Sequence, residues 1–282
     1  MDKPIIASPN VTQHILHRFK LRADKKLGQN FLIDHTVVER IVAAAELTET
    51  DTVLEVGPGI GTLTQGLAES KAEVVAVELD KRLLPVLATT LEGYENVRVV
   101  NGDILKVDIM AEVGHKEFKC CANLPYYITT PIIFALIEKR LPMERLVAMV
   151  QKEVAERMAA KPGGKEYGAL SVAIQYYTVP EIAFIVPPES FIPAPSVDSA
   201  VIVCKRREKP AVEVEDEELF FKVVKAAFSL RRKMLNNSLK NMGIDSAKCA
   251  AWLALAGIDG KRRAETLSLE EFAALANTFK QV

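Results

Sequence analysis

Residues 51–70 read DTVLEVGPGIGTLTQGLAES. The apolar run "DTVLEVG" breaks into a glycine loop, and "GTLTQGLAES" follows with helical spacing. A strand that turns through glycines into a helix is the opening of a βαβ unit, so this stretch points to a parallel α/β sheet. Gly57, Gly59 and Gly61 stand where the chain must turn sharply and let a ligand approach the backbone closely.

The same alternation continues outward from that stretch. "TVVERIVAAAEL" precedes it as a helix, and "AEVVAVELD", "KRLLPVLATTLEG" and "NVRVVNGD" follow as strand, helix and strand. "KCCANLP" is the fourth strand, and "TTPIIFALIEKR", "RLVAMVQ" and "KEVAERMAAK" are helix, strand and helix. After a proline-rich stretch, "SAVIVCK" closes this half. The pattern predicts an α/β domain over residues 1–206, a parallel sheet with helices on both faces. "RREKPAVEVEDEE" then leaves little to bury and reads as a linker, so residues 207–282 form a small all-helical domain. Ser268 stands three before Glu271, a capping box for its last helix.

Composition sets outer bounds. With 282 residues, 49% hydrophobic and 26% charged, the chain is an ordinary globular mixture. The N-terminus has no continuous apolar segment and no stretch approaches a membrane span, so a cytoplasmic protein is expected. The four cysteines, Cys120, Cys121, Cys204 and Cys249, lack CxxC spacing and read as reduced core thiols. His14 and His17 have no carboxylate or cysteine cluster to join, so no metal site is expected. Net charge is −1, yet residues 219–244 hold six basic side chains and no acid: Lys222, Lys225, Arg231, Arg232, Lys233 and Lys240. Residues 18–26 hold five against one. Taken alone, such runs are usually solvated helix faces.

Three strand ends carry chemistry. Glu78 ends the second strand, 17 residues after Gly61, where a carboxylate can accept from both hydroxyls of a ribose. Asp103 ends the third, where it can accept from the amine of an adenine. The loop is G-x-G-x-G rather than G-x-G-x-x-G, and Pro58 removes an N–H that a phosphate would need. A nicotinamide dinucleotide therefore fits poorly, and S-adenosylmethionine is the expected cofactor. The fourth strand runs into Asn123-Leu124-Pro125-Tyr126, a polar and aromatic tetrad that makes poor core and lies where parallel sheets place binding groups.

Taken in order, "KKLGQNFL", "EVGPGIGTLT", "VELD", "GDIL", "NLPYYITTP", "FIPAPSVDSAV" and "AFSLRRKMLNNSL" resemble the ribosomal RNA adenine dimethyltransferases. The likeness is strongest to the KsgA (RsmA) family, which acts on the small subunit, and runs from about residue 14 to the end. It implies a class I, Rossmann-like methyltransferase domain with a small C-terminal helical domain. It also implies dimethylation at N6 of two adjacent adenosines in the 3′-terminal helix of small-subunit rRNA, within a 30S or pre-30S particle. By this resemblance Asn30 and Leu32 close over the cofactor, Gly57 and its neighbours line it, Glu78 holds the ribose, Asp103 the adenine, and Asn123 lies where cofactor and target base meet. A monomer without metal is expected.

On that basis the tetrad has a chemical task. The Asn123 side-chain oxygen and the Leu124 carbonyl are expected to accept the two N–H bonds of the target amine, with Pro125 restricting Leu124 to the extended region. Tyr126 is expected to offer a stacking face to a base taken out of its helix, and Phe191 a second one. The basic run beside the cofactor domain in sequence then becomes a candidate for phosphate contacts. Two rivals share part of the pattern. The large-subunit enzyme of macrolide resistance usually has Ile where this chain has Leu124, and a non-catalytic assembly factor would have no need of Glu78, Asp103 and Asn123 together.

Overall fold

The structure, a computed structural model, describes residues 3–24, 27–138, 141–230 and 232–282. In chain order the first elements are α1 (Pro9–Arg18), β1 (Phe31–Leu32), α2 (His35–Ala45), β2 (Thr52–Val56), α3 (Thr62–Glu69) and β3 (Glu73–Glu78). Next come α4 (Leu84–Thr90), β4 (Val97–Asn101), α5 (Ile109–Glu112), β5 (Phe118–Asn123), α6 (Thr129–Glu138), β6 (Met143–Gln151) and α7 (Lys152–Ala159). Then follow α8 (Ala169–Tyr177), β7 (Thr178–Val186), β8 (Phe191–Ile192) and β9 (Ser199–Arg206). The remainder is helical: α9 (Glu217–Phe228), α10 (Leu235–Ser238), α11 (Ser246–Leu255) and α12 (Leu269–Thr278).

Seven strands form one sheet in the order β4-β3-β2-β5-β6-β9-β7. The pairs β4–β3, β3–β2, β2–β5 and β5–β6 are parallel. Buried on both faces, the central strands are continuous apolar runs such as Val74–Val77 rather than alternating ones. The order reverses between β2 and β5, so a crevice opens at the carboxyl ends of these neighbours, the place where doubly wound sheets bind ligands.

The fully parallel sheet expected from the sequence is corrected at one side. β9 runs antiparallel to β6, with Ser199 opposite Gln151. β7, unassigned in the sequence reading, lies at the sheet's edge with alternating exposure, and an edge strand tolerates Pro180 because it has a free side.

The N-terminal residues, which carry no motif, are tied to α3 and to the residues around the glycine loop. The Ile6 N–H donates to Gln65 Oε1 at 2.9 Å, and Ile6 and Ile15 pack with Phe31, Ile60 and Leu83.

The chain divides into two compact units, Met1–Ala155 with Glu181–Arg206, and Glu156–Pro180 with Arg207–Val282. One divide coincides with the expected boundary at 206/207, but residues 156–180 pack with the C-terminal helices rather than with the first domain. The reason is aromatic: Tyr167, Val172 and Tyr176 belong to the cluster that contains Phe220, Trp252 and Phe272. Trp252 Nε1 is satisfied inside that core by the Leu275 carbonyl at 2.8 Å, and the capping box of Ser268 and Glu271 is formed at the start of α12. All four cysteines are buried and unbridged. No helix among the described residues is long and apolar enough to cross a membrane.

Candidate functional site

The carboxyl ends of β2, β3 and β5 and the loop after β4 meet in one cleft. After β2 the loop closes on itself, with Gly61 N–H donating to the Pro58 carbonyl at 2.9 Å. Gly57 and Gly59 have φ of 71° and 61°, in the left-handed region that glycine adopts freely. A Cβ at Gly57 would meet nothing within 4 Å, so the loop leaves open space beside its backbone.

Glu78, at the end of β3, braces this loop. Its Oε2 accepts from Gly59 N–H at 3.1 Å and its Oε1 from Asp80 N–H at 2.7 Å. Burial pushes its carboxyl above the usual range, and those backbone donors pull the other way. Each oxygen keeps a second lone pair for a ligand hydroxyl. Asp103 also lines the cleft, and its Oδ1 accepts from Leu105 N–H at 3.0 Å.

Asn123 and the tetrad form the opposite wall. Asn123 Nδ2 donates to the Asn30 carbonyl at 3.3 Å. A carbonyl can only accept, so this contact turns the amide nitrogen to Asn30 and leaves Oδ1 an acceptor with no donor among the described residues. Leu124 N–H donates to the Met149 carbonyl at 3.0 Å, while the Leu124 carbonyl accepts nothing from the described residues. Thr129 Oγ1 and Ile128 N–H both donate to the Pro125 carbonyl, at 2.8 and 3.2 Å, and so hold the turn. Gly28 lies against it: a Cβ there would stand 3.2 Å from the Tyr127 ring.

The sequence model of the ribosomal RNA adenine dimethylase family matches residues 20–281. The chain belongs to that family. The ribosomal RNA small subunit methyltransferase A of Bacillus mycoides (strain KBAB4) is 51% identical over 282 residues, covering 96% of both chains. That of Bacillus anthracis (strain CDC 684 / NRRL 3495) matches at the same identity and coverage. Among solved structures, a dimethyladenosine transferase from Plasmodium falciparum superposes with TM-score 0.76 at 27% identity, over 89% of this chain and 98% of that one. The 23S rRNA methyltransferase ErmE gives 0.69 at 29% identity, over 89% of this chain and all of ErmE (100%).

The chain is thus an rRNA adenine dimethyltransferase that depends on S-adenosylmethionine. The cleft fits that cofactor: a bare loop without phosphate donors, a ribose-competent acid, and Asp103 beyond it. Several residues of the cleft were missed in the sequence, Glu55 and Tyr127 among them. Glu55, 1% exposed and next to last in β2, lines the cleft with an Oε2 that has no hydrogen-bond partner among the described residues. Burial first, then the charge of Glu78, pushes its carboxyl up to about 8, against the pull of the Thr64 hydroxyl. Near neutral pH Glu55 is therefore a neutral acid in the cleft wall.

The dimethylase cleft brings together Asn30, Leu32, Gly57, Gly59, Glu78, Asp103, Asn123, Leu124, Pro125 and Tyr126. Two expected members lie elsewhere. Gly61 has φ of 94° and precedes α3, where a Cβ would come within 3.0 Å of Thr90 Oγ1, so its smallness serves packing rather than a ligand. Phe191 is buried, paired opposite Leu32 and in one core cluster with Val186 and Val201, and it is not among the residues that line the cleft. The exposed aromatic that lines it is Tyr127, at 51%. Of the basic run, Lys222, Lys225, Arg232, Lys233 and Lys240 are exposed, and Arg231 lies outside the described residues. Lys222 pairs with Glu218 at 2.8 Å, while the other four have no carboxylate partner among the described residues.

Proposed function

We propose that the enzyme methylates N6 of two adjacent adenosines in the 3′-terminal helix of small-subunit rRNA and carries each to the dimethyl form. The strongest support is the pair of open acceptors, Asn123 Oδ1 and the Leu124 carbonyl, side by side in the wall of the cofactor cleft. An adenine amine is a weak nucleophile, because its lone pair is delocalised into the ring and it presents two N–H donors. If both donors are accepted, the nitrogen can pyramidalise and free its lone pair. The cofactor would supply a methyl on a sulfonium that leaves as a neutral thioether, and the methylated nitrogen can lose its proton after transfer, so no strong base is needed. Acceleration then comes chiefly from orientation, which can recover roughly 7–11 kcal/mol of barrier.

In this reading Tyr126 stacks on the extruded base. Lys225, Arg232, Lys233 and Lys240, with Lys222 and Arg231, supply phosphate contacts that place the RNA without reading its bases. The enzyme works as a cytoplasmic monomer on a 30S or pre-30S particle. The small-subunit substrate is favoured by relatives of that name at 51% identity, against 29% for the large-subunit enzyme ErmE. The test is incubation with labelled cofactor and 30S particles from a strain lacking the modification, followed by nucleoside analysis. N6,N6-dimethyladenosine in the 16S fraction is expected. Enzyme that binds the cofactor yet leaves the 16S rRNA of these particles unlabelled would overturn the proposal.

A further inference from the structure

We infer that Ser199 is a positioning residue for methyl transfer, fixing the Tyr126 ring through its hydroxyl; this rests on the proposed stacking of the target base on that ring. The two oxygens, Tyr126 Oη and Ser199 Oγ, are 2.6 Å apart. Ser199 is fully buried, 0% exposed, at the first position of β9 opposite Gln151 of β6. The preceding residue is pinned as well, since the Asp198 carbonyl accepts from Lys152 N–H at 3.0 Å. The serine hydroxyl is therefore carried on the sheet, where it has little freedom to move.

Tyr126 lines the cleft, but its hydroxyl is engaged by this buried serine rather than free to meet a substrate. A bond at the para oxygen fixes where the long axis of the ring points, and so holds the ring at one place in the cleft wall. The backbone beneath is held separately, by Thr129 Oγ1 and Ile128 N–H on the Pro125 carbonyl. Backbone and ring thus have independent anchors. A tyrosine half-buried beside apolar strands would otherwise pivot about its first side-chain torsion, and a stacking platform that pivots holds a base in many poses instead of one.

The experiment is a double-mutant cycle of Ser199→Ala and Tyr126→Phe, read as single-turnover methylation of undermethylated 30S particles at saturating cofactor. Each single change is expected to lower the rate about three- to tenfold, the size of one lost hydrogen bond. The double variant should be no slower than the worse single, because both remove the same bond. Affinities for cofactor and RNA should stay within about twofold, which separates loss of orientation from general damage to the fold. Rate losses that multiply in the double variant, or a Ser199→Ala enzyme as fast as wild type, would overturn the assignment. Should Ser199→Ala fold poorly, Tyr126→Phe removes the bond without touching the strand, and a wild-type rate there would also overturn it. Wild-type enzyme inactive on 30S particles would count against the substrate proposed above. The ratios among variants, measurable on any rRNA the enzyme methylates, decide Ser199 separately.

Discussion

Glu55 stands among Val53, Leu54 and Val56 with a carboxylate oxygen that meets no donor. Its carboxyl is raised from 4.5 to about 8, so between those values the unfolded chain is ionised while the folded one keeps its proton. Stability is therefore lost as pH rises from about 4.5 to about 8, since the folded state binds more protons there. Glu55→Gln should lack that loss. In urea titrations of cofactor-free protein, its stability relative to wild type should rise between pH 5 and 8.5 by roughly 4 kcal/mol, at about 1.36 kcal/mol per unit. Parallel pH profiles would show that Glu55 is ionised throughout. Asn123→Ala removes an acceptor that matters most in the transition state, so single-turnover rate should fall on the order of 10²-fold with RNA affinity nearly unchanged. Equal losses in both would move Asn123 into simple binding. Glu78, Asp103 and Asn123 were legible because each is a polar residue at the end of an apolar run. Glu55 was not, since a strand buried on both faces gives no pattern from which to tell which side chain reaches the cleft. Ser199 was hidden for another reason: its partner Tyr126 is 73 residues away in the chain. For Phe191 the motif names a ring without saying which way it faces, and the structure places that ring in a buried cluster next to the cleft-lining Leu32.

At the scale of elements, α2 and α3 pack through Gly66. A glycine inside a helix costs about 1 kcal/mol relative to alanine, so from sequence it looks like a flaw open to improvement. The structure gives the opposite sign. A Cβ at Gly66 would lie 2.5 Å from Val38 Cγ1 and 3.2 Å from Val42 Cγ2, and Val38 is buried and cannot swing away. Gly66→Ala should destabilise by roughly 1–3 kcal/mol despite its better propensity. In a Val38→Ala background the same change should become neutral or stabilising, as chemical denaturation of the four proteins would show. A simple gain in the wild-type background would mean the helices can separate at no cost. Most elements themselves were readable, because the parallel strands are apolar runs between glycine-rich turns and the helices keep their 3.6-residue period. β7 escaped because "TVPEIAFIV" carries a proline and buries one side only, and the antiparallel turn to β9 follows from pairing partners that no local pattern reveals.

The whole molecule divides into two compact units, each with its own core. Charge asymmetry along the chain was visible in the sequence, while the membership of residues 156–180 was not, because it depends on aromatic contacts with helices more than 40 residues further on. The cofactor cleft is built wholly from residues 27–132, within the first unit. Arg232 and Lys233 belong to the second, exposed and without carboxylate partners among the described residues. Charge reversal of both should therefore leave cofactor affinity and thermal stability unchanged while weakening RNA binding. Each phosphate contact releases counterions, with a salt slope of about 0.7–0.9 per contact, so losing two should flatten the plot of log affinity against log salt by about 1.5. Lys222 provides the internal contrast. It is already paired with Glu218 at 2.8 Å, so its reversal should change the slope less than reversal of either unpaired residue. If the double reversal leaves the slope of 30S binding where it was, this basic run is a solvated helix face, and the RNA must be held by other residues.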